Sequence, residues 1–356
     1  MSKFTLNTIT LQNVVTKAIK AAGFNKLLPI TGMIGLRNEL GKLCLTTSDG
    51  TNYLYVYTDI DTDEDFSVVV NAEMFAKLVA KLTSENVTLT ITNEALVVTC
   101  NGEYKLALQL NDTGDALEYP NPYASSEIED KSVKVNKSVI DVMLNSIKPS
   151  LSTVAGSLYT NYYVGDVIIG TDKAMFSSFD DSSFGESCLL SREFVDLLGL
   201  MGDETDLSIS SEAIIAKSDN LILYANKGES ADGFQVDKLL NILSIEMDSY
   251  CKINKQALLS TLERISIFVG DFEDNVIKLH FTDKSIEIQS MSSSGIESVN
   301  YMEHKSATDF TAKINVAMLI TQLKAYGSDS VEIYYGNDKL LKLKDGKLTQ
   351  VIAYVI

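Results

Sequence analysis

The sequence predicts a mixed α+β protein made of six copies of one β-α-β-β-β unit. Six times, a short strand of alternating apolar and polar residues runs into an Asn or Ser and then into about three turns of amphipathic helix. After each helix, segments of period two are separated by turn residues. Hydrophobic residues make up 45% of the chain and charged residues 22%, a balance typical of globular proteins.

The helix starts recur at near-equal spacing along the chain. Asn and Ser suit these starts because their side-chain oxygen can accept a hydrogen bond from a free N–H of the first helical turn. In the first copy, Thr8 or Thr10 is an alternative cap. Such regular spacing favours an internal repeat over chance. The predicted caps, which lie 64, 65, 55, 63 and 61 residues apart, are Asn7, Asn71, Asn136, Ser191, Asn254 and Asn315.

The strand segments complete each unit and suggest how the units combine. NVTLTIT, EALVVTC and EYKLALQL follow the second helix, and VEIYY, KLLKLK and LTQVIAYVI follow the sixth. One unit covers only one side of its helix, so units should pair to share a core. Pairing predicts three similar domains, at residues 1–122, 123–245 and 246–356. The joins, at residues 112–130 and 232–248, are predicted to be extended connectors.

Several function classes find no support in the sequence. Phosphate-binding, nucleophile-elbow and zinc-protease motifs are missing, so we expect neither an enzyme nor a cofactor. The cysteines form no CxxC pair, and we expect buried, reduced thiols and no metal. No apolar run is long enough for a membrane span, and the start does not resemble an export signal, which predicts a cytoplasmic protein. The four cysteines are Cys44, Cys100, Cys188 and Cys251.

Charge is distributed unevenly between helices and the remaining chain. The formal net charge is −18, yet the six helical segments together carry +6, which leaves −24 on the remainder. Units whose helices share one face can close into a ring with helices inside and sheets outside, which also removes free sheet edges. The segregated charge favours that arrangement. The alternative is that helices simply favour Lys on their solvated faces.

Five stretches resemble the bacterial DNA polymerase III beta sliding clamp family, in a divergent form such as a phage might encode. They are NKLLPITGMIGLR, DALEYPN, GTDKAMF, ERISIFVGDFEDNVIKLHF and the final YVI, and they follow in the family's order over the whole chain. The resemblance implies three clamp domains per chain and a head-to-tail homodimer. It also implies a non-enzymatic processivity factor that encircles duplex DNA in the cytoplasm of a bacterium or an infected host cell and tethers the replicative polymerase.

A ring that slides must attract phosphates diffusely, because clusters of base-reading residues would pin it to one site. A few cations on each helix would provide this attraction to double-stranded DNA, without sequence specificity. Any one of them could equally be a solvent-exposed side chain of no importance. The candidates for the DNA-facing wall are Lys17, Lys20, Lys26, Lys77, Lys81, Lys148, Arg192, Lys255, Arg264 and Lys324.

The resemblance also implies a pocket that binds short apolar peptides of polymerase and clamp-loader subunits. Where the family has a Gly-His-Arg run, this chain has Lys173, Ala174 and Met175, so its peptide preference should differ. Read structurally, the same positions would be strand core residues. The pocket positions are Leu158, Thr171, Met175, Phe176, Leu240, Ile352, Ala353, Tyr354, Val355 and Ile356.

For the dimer contact, the resemblance implies that Ile267 and Phe268 pack against Leu106 and Leu108 of the next subunit. Ordinary core packing is the competing interpretation. Two other functions stay open from the sequence. One is a repeat-built structural or protein-interaction module that does not act on DNA. The other is a hydrolase or transferase that uses paired carboxylates such as Asp271 and Glu273.

Overall fold

Six β-α-β-β-β repeats account for every strand that the structure describes. The computed structural model of the chain describes residues 2–111, 113–125, 132–228, 230–269, 275–305, 309–337 and 339–355. Within these ranges the chain forms 24 strands and seven α-helices. Six of the helices belong to the repeats, so the predicted α+β class and the repeating unit are confirmed.

The first three repeats follow one another from the N-terminus. Repeat 1 comprises β1 (Ser2–Asn7), α1 (Thr8–Ala18), β2 (Met33–Glu39), β3 (Lys42–Ser48) and β4 (Asn52–Asp59). Repeat 2 comprises β5 (Ser67–Asn71), α2 (Ala72–Val79), β6 (Asn86–Ile91), β7 (Ala95–Thr99) and β8 (Glu103–Ala107). Repeat 3 comprises β9 (Ser132–Asn136), α3 (Lys137–Val142), β10 (Tyr162–Val164), β11 (Ile168–Thr171) and β12 (Met175–Phe179).

The last three repeats have the same order, with one additional helix between them. Repeat 4 comprises β13 (Cys188–Leu190), α4 (Arg192–Leu198), β14 (Glu204–Ile209), β15 (Ala213–Ser218) and β16 (Leu221–Asn226), and α5 (Val236–Leu243) follows it. Repeat 5 comprises β17 (Ser249–Asn254), α6 (Lys255–Ser266), β18 (Val276–Phe281), β19 (Ser285–Ser290) and β20 (Ile296–Lys305). Repeat 6 comprises β21 (Phe310–Asn315), α7 (Val316–Lys324), β22 (Ser330–Tyr335), β23 (Leu340–Asp345) and β24 (Leu348–Ala353).

Asparagine side chains start four of the repeat helices as predicted. The Asn7 side chain accepts hydrogen bonds from Ile9 N and Thr10 N at 2.9 and 3.3 Å, so Asn7 caps α1 and the alternatives Thr8 and Thr10 do not. The equivalent bonds to the side chains of Asn71, Asn254 and Asn315, from the backbone N–H three residues ahead, measure 2.8, 2.8 and 3.1 Å. Each bond satisfies a donor that the helix itself cannot pair.

Neighbouring repeats exchange their first strands. β1 of repeat 1 pairs with β6 of repeat 2, and β5 of repeat 2 pairs with β2 of repeat 1. The same exchange joins β9 to β14 and β13 to β10 in repeats 3 and 4. It also joins β17 to β22 and β21 to β18 in repeats 5 and 6. The repeats are therefore linked two by two, while the domain boundaries near residues 122 and 245 remain a prediction.

The chain divides into two compact units. Unit 1 comprises Met1–Lys137 and Glu193–Lys227. It contains a four-stranded sheet, β1-β6-β7-β8, and an eight-stranded sheet, β5-β2-β3-β4-β16-β15-β14-β9. Unit 2 comprises Ser138–Arg192 and Gly228–Ile356. It contains one twelve-stranded sheet, β13-β10-β11-β12-β24-β23-β22-β17-β20-β19-β18-β21.

In each unit, pairs of repeat helices cover a sheet with their apolar faces. In unit 1, Leu11 of α1 and Phe75 of α2 are fully buried, and Gln12 Nε2 donates to the carbonyls of Val79 and Leu82 at 3.1 and 3.0 Å. In unit 2, the buried apolar residues of α6 and α7 are Leu258, Leu259, Leu262, Ile265, Val316, Leu319 and Leu323. The three- and four-residue spacing of these residues is what the sequence predicts for a single buried stripe.

The second join departs from the prediction of an extended connector. Residues 236–243 form the helix α5. Its apolar side chains, Val236, Leu239, Leu240 and Leu243, recur at helical spacing, which places them on one face. The prediction of an extended connector was wrong because the apolar residues between 236 and 243 repeat at helical spacing, so they can pack together on one side of a helix. The described part of the first join contains only a 3₁₀ turn, at Pro122–Ser125.

The four cysteines form no disulfide within the described residues, and three of them lie in the protein interior. Cys44, Cys188 and Cys251 are buried, whereas Cys100 is partly exposed. Burial raises the pKa of the Cys44 thiol to about 11, which makes it a poor nucleophile at neutral pH. The described residues include no group of His, Cys, Asp or Glu side chains arranged to hold a metal ion. No helix in the described ranges is both long and apolar enough to cross a membrane.

Candidate functional site

Nine of the ten predicted DNA-facing cations lie on the repeat helices or in the turns that end them, and Lys26 lies in the loop that follows α1; their exposure differs. The four half-buried ones are Lys17, Lys148, Arg192 and Lys255. Lys255 Nζ donates to the Tyr326 carbonyl at 2.7 Å, which directs this cation toward the end of α7. The six exposed ones are Lys20, Lys26, Lys77, Lys81, Arg264 and Lys324.

Three of the exposed cations are paired with carboxylates. Lys77 pairs with Glu73 one turn earlier on α2. Lys324 pairs with Glu263 at 2.9 Å. Arg264 donates to both carboxylate oxygens of Glu297 on β20, and these hydrogen bonds lower the pKa of Glu297 below its usual range.

The other three exposed cations have more of their charge available. Within the described residues, no carboxylate lies within ion-pair distance of Lys20, Lys26 or Lys81. An unpaired ammonium attracts a phosphate without first losing an internal partner. Lys20, Lys26 and Lys81 are therefore the exposed cations of the predicted set that form no ion pair among the described residues, although Lys20 lines a cavity together with Asp49, Glu193 and Asp196.

Most of the predicted pocket residues lie on or next to the adjacent strands β11, β12 and β24 of the twelve-stranded sheet of unit 2, and Leu240 lies on α5. Met175 of β12 lies opposite Ile352 of β24, and Phe176 lies opposite Val351. Beyond this ladder, Ala353 N donates to the Ala174 carbonyl at 2.9 Å. The end of the chain thus forms one continuous sheet with the segment that departs from the family's pattern.

A tight turn joins β11 to β12 at the rim of this sheet. Thr171 is buried, and its hydroxyl donates to the Met175 carbonyl at 2.9 Å, which closes the turn. The Asp172 carboxylate accepts from Ala174 N and Met175 N at 2.9 and 2.8 Å. Lys173 has a positive φ of 82°, and its ammonium lies 5.1 Å above the Tyr159 ring. A cation–aromatic contact therefore lies beside the turn between β11 and β12.

Most of the predicted pocket residues divide into a floor and a rim, which together form what we call the apolar groove. Thr171 and Phe176 are buried and form the floor, whereas the predicted pocket residues Met175 and Ile352 are buried on the opposite face of the sheet, because side chains alternate along a strand. Leu240 of α5 is 39% exposed, and Val355 and Ala353 are also exposed. Leu158 and Tyr354 are half-buried. Ile356 lies outside the described residues.

Sequence reasoning missed the aromatic residues that support the groove. Phe234 is fully buried, and its ring centroid lies 5.2 Å from that of Tyr159 and 5.6 Å from that of Tyr163. Val236 and Leu239 of α5 pack on the same core cluster as Phe176. The sequence held one signal for this part of the groove: the apolar spacing of α5, which places Val236 and Leu239 on the face that carries Leu240.

The predicted dimer residues lie beside two sheet edges. β8 pairs with β7, and residues 296–300 of β20 pair with β19; on its other side each stretch has no strand partner among the described residues. Ile267 is 78% exposed and Phe268 50% exposed, and Phe268 lies against Gly295 at the start of β20. Leu106 and Leu108 are already buried in unit 1, at 3% and 7% exposure. The exposed apolar surface is therefore that of Ile267 and Phe268, and not that of Leu106 and Leu108.

Asp271 and Glu273, the paired carboxylates of the alternative hydrolase or transferase hypothesis, lie outside the described residues.

Comparisons with known proteins give one consistent result. Residues 2–122 match the family described as DNA polymerase III beta subunit, N-terminal domain. No curated protein sequence matches the chain. The DNA polymerase sliding clamp from Bacillus subtilis is 17% identical, with a TM-score of 0.86 and 99% of each chain covered.

Two streptococcal structures agree with it. The DNA polymerase III beta chain from Streptococcus pneumoniae TIGR4 is 16% identical, with a TM-score of 0.87 and both chains covered completely. The beta subunit from Streptococcus pyogenes is 18% identical, with a TM-score of 0.85 and coverage of 99% of this chain and 100% of that one. At these identities the likeness establishes the fold. The chain therefore has the sliding-clamp fold throughout, and its residues 2–122 match the N-terminal domain of the DNA polymerase III beta subunit.

Proposed function

We propose that this chain is a DNA polymerase processivity factor: a homodimeric sliding clamp that encircles duplex DNA and tethers the replicative polymerase. The observation that carries the proposal is a rule in the strand pairing. The last strand of repeat 1, β4, pairs with the last strand of repeat 4, β16. The last strand of repeat 3, β12, pairs with the last strand of repeat 6, β24. An odd repeat thus joins the repeat three places further on.

Applied to repeat 5, the same rule requires a partner from a second copy. Three places beyond repeat 5 lies repeat 2 of the next chain, whose last strand is β8. The two remaining last strands are β8, which pairs only with β7 among the described residues, and β20, whose residues 296–300 pair only with β19 while residues 301–305 pair with β17. In a pair of chains, β8 of each copy joins β20 of the other, which is a closed two-fold arrangement. Closure also removes two edges that would otherwise invite aggregation.

Side chains near the two edges fit this assembly. Ile267 and Phe268 offer exposed apolar surface beside β20, and Ile296 of β20 is exposed as well. The side chains of Leu106 in β8 and of Leu108 just after it are buried within unit 1. They would therefore hold the backbone of β8 in place and would not contact Ile267 and Phe268 directly. The three predicted domains, 1–122, 123–245 and 246–356, would then give six in the assembled ring.

The partner along the ring axis is double-stranded DNA, contacted without sequence specificity. Cations on the repeat helices attract phosphates diffusely, and release of counterions makes the attraction dependent on salt. The remainder of the chain, at −24, repels DNA from other surfaces. The proposal assigns the chain no catalytic step and no cofactor.

The second class of partner is protein. The apolar groove, with Leu240, Val355 and Leu158 at its margin, suits a short apolar peptide from a polymerase or clamp-loader subunit. Lys173 beside Tyr159 adds positive charge at the rim. Such a function places the protein with the replication machinery, in the cytoplasm of a bacterium or an infected host cell.

Molar mass in solution tests the proposal. Light scattering should give about 78 kDa, twice the 39.1 kDa of one chain. The double variant Ile267→Ala, Phe268→Ala should give 39.1 kDa, because it removes the apolar surface beside β20. The matched control is Ile9→Ala, Val154→Ala, which removes two exposed apolar side chains from elsewhere and should remain dimeric. A wild-type monomer at micromolar concentration would rule out the closed ring, and a dimeric Ile267, Phe268 variant would rule out this interface.

A further inference from the structure

The helix α5 forms a wall of the apolar groove, yet its own packing is slight. None of its eight residues is buried. Val236, Leu239, Ile242 and Leu243 pack only partly against the core cluster that contains Phe176 and Val351. An isolated helix of this length is unstable in water, so its position must depend on how its two ends are held.

The N-terminal end of α5 is held by an aromatic anchor. Phe234 is fully buried between Tyr159 and Tyr163. Gln235 follows it with a left-handed φ of 48° and starts the helix without a side-chain cap. This end is therefore fixed by apolar packing.

The C-terminal end of α5 is held by a single charged side chain. Lys342 Nζ donates to the carbonyl oxygens of Leu243 and Ile245, both at 2.8 Å. Carbonyls at a helix end have no partner within the helix, and the negative end of the helix dipole favours a cation. Lys342 satisfies both requirements.

The position of Lys342 connects the helix to the groove floor. Lys342 lies on β23 opposite Val351 of β24, which in turn lies opposite the floor residue Phe176 of β12, so the three share one face of the sheet. Burial, and the nearby charge of Lys344, lower the pKa of Lys342 below its usual value, in keeping with an ammonium held partly out of water.

The space beside the contact between Lys342 and the end of α5 is not filled by other side chains. A cavity of about 500 Å³ borders this contact, and among the residues that line it are Asp180, Met247, Tyr334 and Lys344. If the two hydrogen bonds were lost, the end of α5 could move into this space. The nearest other side-chain hydrogen bonds join Ser244 Oγ to the Asn241 carbonyl at 2.8 Å and, beyond the helix, Asn337 Nδ2 to Met247 Sδ at 3.2 Å, and neither reaches a carbonyl of the last turn that Lys342 binds.

We propose that Lys342 is a positioning residue for the apolar groove: its contact with the C-terminal carbonyls of α5 fixes the wall that carries Leu240. The inference rests on the proposed partner-binding function, although the contact itself can be measured without a partner. A peptide that binds between α5 and β24 then meets a preformed groove and loses less affinity to ordering.

The test compares Lys342→Met, which keeps the length of the side chain and removes its charge, with Lys344→Met as the matched control. Lys344 is the next exposed lysine on β23 and is not bonded to α5 in the described structure. Hydrogen exchange of the amides of residues 240–245 should become about tenfold faster in Lys342→Met and stay unchanged in Lys344→Met. Lys342→Arg, which can still donate to two carbonyls, should restore most of the protection.

Affinity is measured on the same proteins by fluorescence anisotropy, with labelled overlapping fifteen-residue peptides that together cover the replicative polymerase encoded by the same genome. Lys342→Met should weaken binding by about three- to tenfold, and Lys342→Arg by much less. Unchanged exchange in Lys342→Met would overturn the contact, and faster exchange with unchanged affinity would overturn the positioning role. A wild-type protein that binds no peptide would contradict the proposed partner function, and with it the positioning role, whereas the exchange data would still decide the contact.

Discussion

The ten cations proposed to face DNA differ in how much of their charge is free to attract a phosphate. Residue type and helical position were enough to select them from the sequence. Their partners were not predictable, because Glu297, which binds Arg264, lies 33 residues away on a strand. Lys255 is likewise committed to the Tyr326 carbonyl. Short-range patterns identify a charge, whereas the fold decides what neutralises it.

Removal of the free charges should therefore weaken DNA binding. The triple variant Lys20→Gln, Lys26→Gln, Lys81→Gln should lower affinity for duplex DNA of any sequence. It should also reduce the slope of log affinity against log salt by up to about 3, since each phosphate contact contributes roughly 0.9. Fluorescence anisotropy with two unrelated duplexes, between about 50 and 200 mM salt, measures both quantities.

A second triple variant provides the control for this measurement. Lys42, Lys284 and Lys313 are exposed on strands or the turns between them, and their replacement by Gln makes the same change in net charge. This variant should retain the wild-type slope. Equal effects of the two triple variants would show that net charge alone, and not the helical surface, governs the attraction.

At the scale of elements, the six repeats were predictable and the seventh helix was not. Each repeat helix follows a strand and an Asn or Ser, so two independent local signals coincide. α5 has only its apolar spacing, and Gln235 starts it without a capping bond. The groove that α5 borders was equally hard to assemble from sequence alone. Leu158, Phe176, Phe234 and Val351 are spread over nearly 200 residues and meet only through the pairing of β12 with β24.

The capping bonds should have a measurable local effect. Asn254→Ala removes the acceptor that holds Ala257 N at the start of α6 and should destabilise that helix by about 1 kcal/mol. Hydrogen exchange of the first-turn amides of α6 should then accelerate roughly fivefold. Gln256→Ala, an exposed change in the same turn, should leave exchange nearly unaltered. An Asn254→Ala protein with wild-type protection would mean that the strand before α6 alone fixes the start of the helix.

At the scale of the whole molecule, the pairing of last strands is the feature that local patterns could not supply. The ladders β4 with β16 and β12 with β24 join residues 165 to 177 positions apart, and the exchanged first strands join residues 24 to 89 positions apart. Such contacts are set by the collective packing of several repeats. They nevertheless carry the proposed function, in which β8 and residues 296–300 of β20 meet a second chain.

The central claim is that two chains close around duplex DNA, and retention on circular DNA tests it most directly. The protein is loaded onto a nicked circular plasmid by the clamp loader that the same genome encodes, in the presence of ATP. Free protein is then removed by gel filtration. Half of the complex is then cut once with a restriction enzyme. Protein that encircles DNA should stay with the circle and leave the linear DNA through its ends, and the Ile267→Ala, Phe268→Ala variant should be retained on neither. Equal retention on circular and linear DNA, or no retention on the circle, would contradict the central claim.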